Sequence, residues 1–231
     1  MIFVGLAGIL AVLDWYAIAK EKTRLGYFTK PGVMLALLIY MWTTVNAPFV
    51  GGDEAGLLNW IFWGAAFSLA GDVFLMLPKE RFVGGLIAFL FGHIAYAIGF
   101  DGIATLTYAF WPSRIIAFLL VIVAVRVYLT LARSLAASER NQYQIPVALY
   151  TIAITVMVYS ALTRILDRNW YFVWSYAVAG GALLFYFSDV MLAWNRFVRP
   201  LENGRLKVRI AYHLGQIAIV VGATMHFSQY I

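Results

Sequence analysis

Three carboxylates stand inside apolar stretches of this sequence: Asp14 in the first stretch, Asp72 in SLAGDVFLML and Asp189 in FYFSDVMLAW. Two histidines stand in similar surroundings, His93 in FGHIAYAIG and His213 in IAYHLGQIA. Aspartate and imidazole trade protons, bind metals and line ion paths. These five residues therefore admit acid–base catalysis, a zinc-type hydrolytic centre, or a proton or ion path. They can also do something plainer and hydrogen-bond one another to hold helices together, for under ~2 kcal/mol each.

The elements that must position them are transmembrane helices. Of the 231 residues, 63% are hydrophobic and 12% charged, well above the roughly half apolar content of soluble domains. Apolar runs long enough to cross ~30 Å of hydrocarbon lie at 1–19, 32–50, 57–77, 83–100, 113–134, 144–163, 171–194 and 208–230. An all-α bundle of about eight helices follows, one transmembrane domain over 1–231 with no room for a soluble one. The first run lacks a basic start and a small-residue cleavage site, so it reads as helix one and not as a signal peptide. A charged group in hydrocarbon is costly and turns to the bundle interior, which makes each aspartate a functional candidate.

Drawn this way, Asp14, Asp72 and Asp189 each lie five residues before the same end of their helices, a shared depth of ~7 to 8 Å. Lys30 and Pro31 open helix two at that end. Ser68 is one turn before Asp72, and Tyr96, Tyr186 and Tyr212 can supply hydroxyls nearby, while His226 falls near the opposite interface. Without cysteine, thiolate nucleophiles, zinc thiolates and disulfides are excluded.

Basic residues fix the expected orientation. Thirteen of the 17 lysines and arginines fall in the odd-numbered loops, among them Lys30, Lys79, Arg81, Arg196, Arg205 and Arg209. Short loops rich in Lys and Arg stay in the cytoplasm, so both termini are expected outside, with the aspartates toward the cytoplasmic face. Topology accounts for this charge, and a nucleic-acid partner is not expected.

The chain also echoes itself. Gly71-Asp72-Val73-Phe74-Leu75 matches Ser188-Asp189-Val190-Met191-Leu192, each followed by Arg-Phe-Val, and residues 87–99 align without gaps on 210–222. In that alignment His93 falls on Gln216. Helices three and four thus resemble seven and eight, and four helices between the copies make the repeat parallel, with sites expected where the copies meet. Small-residue packing explains recurrent glycines but not a recurrent aspartate.

Residues 68–100, SLAGDVFLMLPKERFVGGLIAFLFGHIAYAIGF, with FYFSDVMLAWNRF at 185–197 and Lys30-Pro31, resemble the YhhN-like lysoplasmalogenase family of membrane proteins. The resemblance spans essentially the whole chain. It implies hydrolysis of the vinyl ether bond of lysoplasmalogens, releasing a fatty aldehyde and glycerophosphoethanolamine or glycerophosphocholine. It also implies Asp72 and Asp189 as acid and base, with Lys30 and His93 in support; Asp14 and His213 are added from their depth and the repeat, and Tyr96, Tyr186 and Ser68 as nearby hydroxyls. Such chemistry needs one protonated carboxyl and one carboxylate, a division of labour known from glycosidases, and two carboxylates in one apolar site can hold a shared proton. Which is the acid stays open.

On this reading the partners are a lysophospholipid and the surrounding membrane lipids, with no obligate protein partner, no cofactor and no metal, in a bacterial inner membrane. A metal-dependent lipid hydrolase and a small-solute or proton transporter remain as alternatives. A path across the membrane needs polar residues at several depths, whereas these cluster in one half.

Overall fold

The computed structural model describes residues 1–77, 81–100 and 111–231; Lys79, counted above among the loop charges, lies outside them. Among the described residues eight helices are long and apolar enough to cross a membrane. They are α1 (Ile2–Ala19), α2 (Thr23–Val45), α3 (Asp53–Met76), α4 (Phe82–Gly99), α5 (Trp111–Ala137), α6 (Gln144–Thr163), α7 (Phe172–Phe197) and α8 (Gly204–Phe227). The chain is an all-helical integral membrane protein. Only a helix satisfies its own backbone donors and acceptors within hydrocarbon, which is why every apolar run takes this form.

Successive helices pair as hairpins, α1 with α2, α3 with α4 and α7 with α8, while α4 packs on α6 and α8 reaches α1, α2 and α3. The most enclosed helices are α2 and α8. Between lipid and protein there is no hydrophobic driving force, so close packing of small residues holds the pairs. In α7–α8 a Cβ on Gly215 would lie 2.8 Å from the Gly181 carbonyl oxygen, and in α3–α4 one on Gly92 would lie 3.3 Å from that of Gly64. By contrast, α5 buries only Ser113, Leu131 and Leu135 and packs chiefly on α6 and α7. Ile115, Phe118, Leu119 and Val121 on it are exposed to the lipid.

Several helix ends differ from the expectation, and three of them bear on the site. Helix α2 starts at Thr23, not near 32, so Lys30 and Pro31 lie inside it. Lys30 is buried there because its ammonium finds a carboxylate, and a proline is tolerated in a membrane helix when neighbours re-satisfy the freed carbonyl. Helix α8 starts at Gly204, not 208, taking Arg205 and Lys207 into the helix. Helix α7 runs on to Phe197, whose ring meets Phe82 at 5.5 Å and Tyr143 at 5.9 Å in a small apolar cluster with Leu131, Leu135 and Val147.

The longer α7 changes the depth argument. Asp14 and Asp72 lie five and four residues before their helix ends, but Asp189 lies eight before its own, about 12 Å at 1.5 Å per residue. The equal spacing from helix ends does not hold for Asp189. Asp189 and Asp72 nonetheless line one cavity.

Candidate active site

Asp72 is 1% exposed and takes three hydrogen bonds from two helices. Lys30 Nζ of α2 lies 2.8 Å from its Oδ1 and 3.4 Å from its carbonyl oxygen. The Tyr212 hydroxyl of α8 donates to Oδ2 at 2.7 Å. A buried charge persists only when paired and hydrogen-bonded, and the pair with two supporting bonds meets that condition.

Asp189, on α7, has different company. His93 Nε2 of α4 lies 3.1 Å from its Oδ2, and the Tyr150 hydroxyl of α6 donates to the same oxygen. His93 Nε2 and the Tyr150 hydroxyl are 2.9 Å apart, so three groups converge, while His93 Nδ1 faces Met157 Sδ at 3.4 Å. The imidazole is fully buried, its ring against Phe185 at 4.7 Å between centroids.

Both aspartates face one cavity of about 380 Å³, lined also by Lys30, Tyr212, Arg196 and Arg209. An apolar groove, with a void of about 60 Å³, runs between α4, α5, α6 and α7 along Phe82, Leu86, Leu131, Ile154 and Tyr186. Cavity and groove share Leu75, Phe89, Asp189 and Leu192. Asp189 is thus the carboxylate at the junction, and Asp72 belongs to the polar side alone. Arg196, on the lining of the cavity, lies over the Phe82 ring at 3.9 Å.

The other candidates fall elsewhere. Asp14 is fully buried but pairs with Arg209, whose Nη1 donates to Oδ2 at 2.6 Å, while Thr29 donates to Oδ1 at 2.9 Å. Ser68 and Tyr96 form a separate cluster deeper in the bundle: Gln216 Nε2 donates to Ser68 Oγ at 3.1 Å and Tyr96 donates to Gln216 Oε1 at 2.6 Å. Tyr186 lines the apolar groove. His213 is fully buried between Trp15 and Tyr212, with no hydrogen-bond partner for either ring nitrogen among the described residues. His226, expected at the interface, is buried with its ring stacked 3.9 Å from Trp170. Among the described residues no three of His, Asp and Glu converge as metal ligands would.

Tyr150, beside Asp189, and Thr29, beside Asp14, are not singled out by the sequence, and Arg209 enters it only as a loop charge. Tyr150 sits in QIPVALYTIAITVMVYS, where nothing separates it from Tyr159, a tyrosine of the same helix. The model of the YhhN family matches residues 25–223.

The chain belongs to the YhhN family.

Lysoplasmalogenase TMEM86B of Homo sapiens is 31% identical over 218 residues, covering 93% of this chain and 84% of that protein. Lysoplasmalogenase TMEM86B of Sus scrofa is 32% identical over 200 residues, 86% of this chain and 75% of that one. The protein named Uncharacterized membrane protein YhhN in Escherichia coli O157:H7 is 26% identical over 194 residues, 83% of each chain. No solved structure matches. The stretch shared with the YhhN family holds Lys30, Asp72, His93, Tyr150, Asp189 and Tyr212, whereas Asp14 precedes it.

Proposed function

We propose that this chain is a membrane-embedded hydrolase that cleaves the vinyl ether of lysoplasmalogens to a fatty aldehyde and a glycerophospho alcohol. The observation that carries the reading is the meeting of a polar, arginine-rimmed cavity and an apolar groove at Asp189. A single-chain phospholipid needs such a two-part site, and the relatives bearing the name lysoplasmalogenase supply the reaction. The alkenyl chain lies in the groove, and the ether oxygen and glycerol lie between the aspartates.

The placement of the carboxylates divides their roles. Hydrolysis begins with a proton delivered to the β-carbon of the enol ether, on the chain side of the oxygen. Asp189 borders the groove, so it reaches that carbon and is the acid; His93 and Tyr150 hold its carboxyl group in place. Asp72, beside the Lys30 ammonium, is the carboxylate of the two. It stabilises the oxocarbenium-like cation and takes a proton from the water that adds to the α-carbon, as the base does in glycosidases. The resulting hemiacetal loses its hydroxyl proton, the bond to the glycerol oxygen breaks, and that oxygen is protonated. One water is consumed, and the proton gained by Asp72 returns to Asp189 through the cavity they share.

Because the basic loops face the cytoplasm, the cavity opens to that side of the membrane, with the phosphate at the arginine rim. The test is aldehyde release from lysoplasmenylethanolamine by the purified protein in detergent, with and without chelator. Wild type releases aldehyde regardless of chelator, and Asp72→Asn and Asp189→Asn, each folded, lose about 10³-fold or more, within the range for removed acid–base groups. No aldehyde from folded wild type, or full activity in either variant, sinks the proposal.

A further inference from the structure

A second cavity, of about 490 Å³, opens beside the first between α1, α2 and α8. It contains no part of the Asp72 and Asp189 clusters. The two cavities share Leu75, Arg205 and Arg209, so the arginines stand on the wall between them. Each volume is in the range of roughly 300–1,000 Å³ typical of small-molecule sites.

The side chains around the wall differ in sign. Arg209 spends one donor on Asp14, itself buried and held by Thr29. That anchor fixes the guanidinium and leaves other N–H donors of its planar fork for an anion. Arg205 lines both cavities and has no ion pair or hydrogen bond among the described residues. On the second cavity only, Glu21 offers a carboxylate that is likewise without an ion pair or hydrogen bond among the described residues, and Tyr27 offers an aromatic ring, while the Lys22 ammonium of the same lining is engaged by Tyr16, donating to its hydroxyl at 3.3 Å. An anion-binding wall with a carboxylate and a π face beyond it suits a zwitterion: phosphate on the arginines, ammonium on Glu21 and Tyr27.

We propose that this second cavity is the headgroup subsite, holding the ammonium end of a glycerophosphoethanolamine or glycerophosphocholine unit whose phosphate bridges Arg205 and Arg209. It rests on the lipid reading above and adds to it the part of the substrate that the cavity between the aspartates does not explain. Asp14 becomes a positioning residue that aims Arg209.

Phosphorus NMR titration of the purified full chain in detergent with three probes tests this: glycerophosphoethanolamine, glycerol 3-phosphate and inorganic phosphate. Wild type binds glycerophosphoethanolamine most tightly. Glu21→Gln weakens it about fivefold and leaves glycerol 3-phosphate unchanged, and Arg205→Gln weakens both about fivefold, the size of an exposed charge contact. If inorganic phosphate binds as well as glycerophosphoethanolamine, or Glu21→Gln changes nothing, the inference is overturned. Binding needs no catalysis: the expected titration pattern from a protein that releases no aldehyde upholds the subsite and rejects the vinyl ether reading. Aldehyde release with no such pattern does the reverse.

Discussion

Asp72 and Asp189 sit in frames built alike and furnished differently. Each lies on the first helix of a hairpin and is reached from the second helix of the other hairpin: Tyr212 of α8 bonds Asp72 on α3, and His93 of α4 bonds Asp189 on α7. The third partner in each case comes from the helix just before the hairpin, Lys30 of α2 for Asp72 and Tyr150 of α6 for Asp189. The frame gives two buried carboxylates facing one cavity; the third partner makes them unlike. A lysine brings a full positive charge, while a tyrosine brings only a hydroxyl. Two carboxylates with unlike surroundings are what a shared acid–base reaction requires.

The contrast breaks most severely at Lys30. Removing one partner of a buried ion pair leaves the other charge uncompensated, at a cost of about 3–5 kcal/mol. Lys30→Met is therefore expected to unfold well below wild type in a thermal scan in detergent, and adding Asp72→Asn to it should restore most of the loss. A Lys30→Met protein as stable as wild type would mean the pair carries no charge. At Asp189 the outcome is different in kind. His93→Gln leaves the carboxyl group with its Tyr150 bond, so unfolding should move little while aldehyde release falls about 10²-fold, the lower part of the range for acid–base assistance. A large stability loss with unchanged turnover would make His93 a packing residue.

Much of this is legible in the sequence, and what is not has common causes. The helices and the buried aspartates stand out because lipid imposes long apolar runs and makes any charge within them conspicuous. Arg209, at the edge of the apolar run 208–230, reads from the sequence as a loop charge. Its helix continues only because Asp14, 195 positions away in the chain, receives it, and no local pattern reveals such a partner. Lys30 was set at a helix mouth beside Pro31 for the same reason, though its charge is met within the bundle by Asp72. Asp14, set level with the other two aspartates, turns out to serve an arginine, since depth along a helix says nothing about which way a side chain faces.

The finest difference between the frames lies in their tyrosines. Tyr212 donates to Asp72 at 2.7 Å, but the carboxylate keeps the Lys30 ammonium on its other oxygen, so Tyr212→Phe removes one hydrogen bond from a charge that remains compensated. Tyr150 shares Oδ2 of Asp189 with His93 and is also within 2.9 Å of His93 Nε2, so Tyr150→Phe loosens both the Asp189 carboxyl group and the imidazole beside it. A neutral hydrogen bond contributes about 0.5–1.5 kcal/mol, or up to about tenfold in rate. Tyr150→Phe should approach that tenfold loss of aldehyde release and Tyr212→Phe only about threefold, at equal protein stability. Equal losses, or the reverse order, would mean that the lysine does not set Asp72 apart from Asp189 in the reaction.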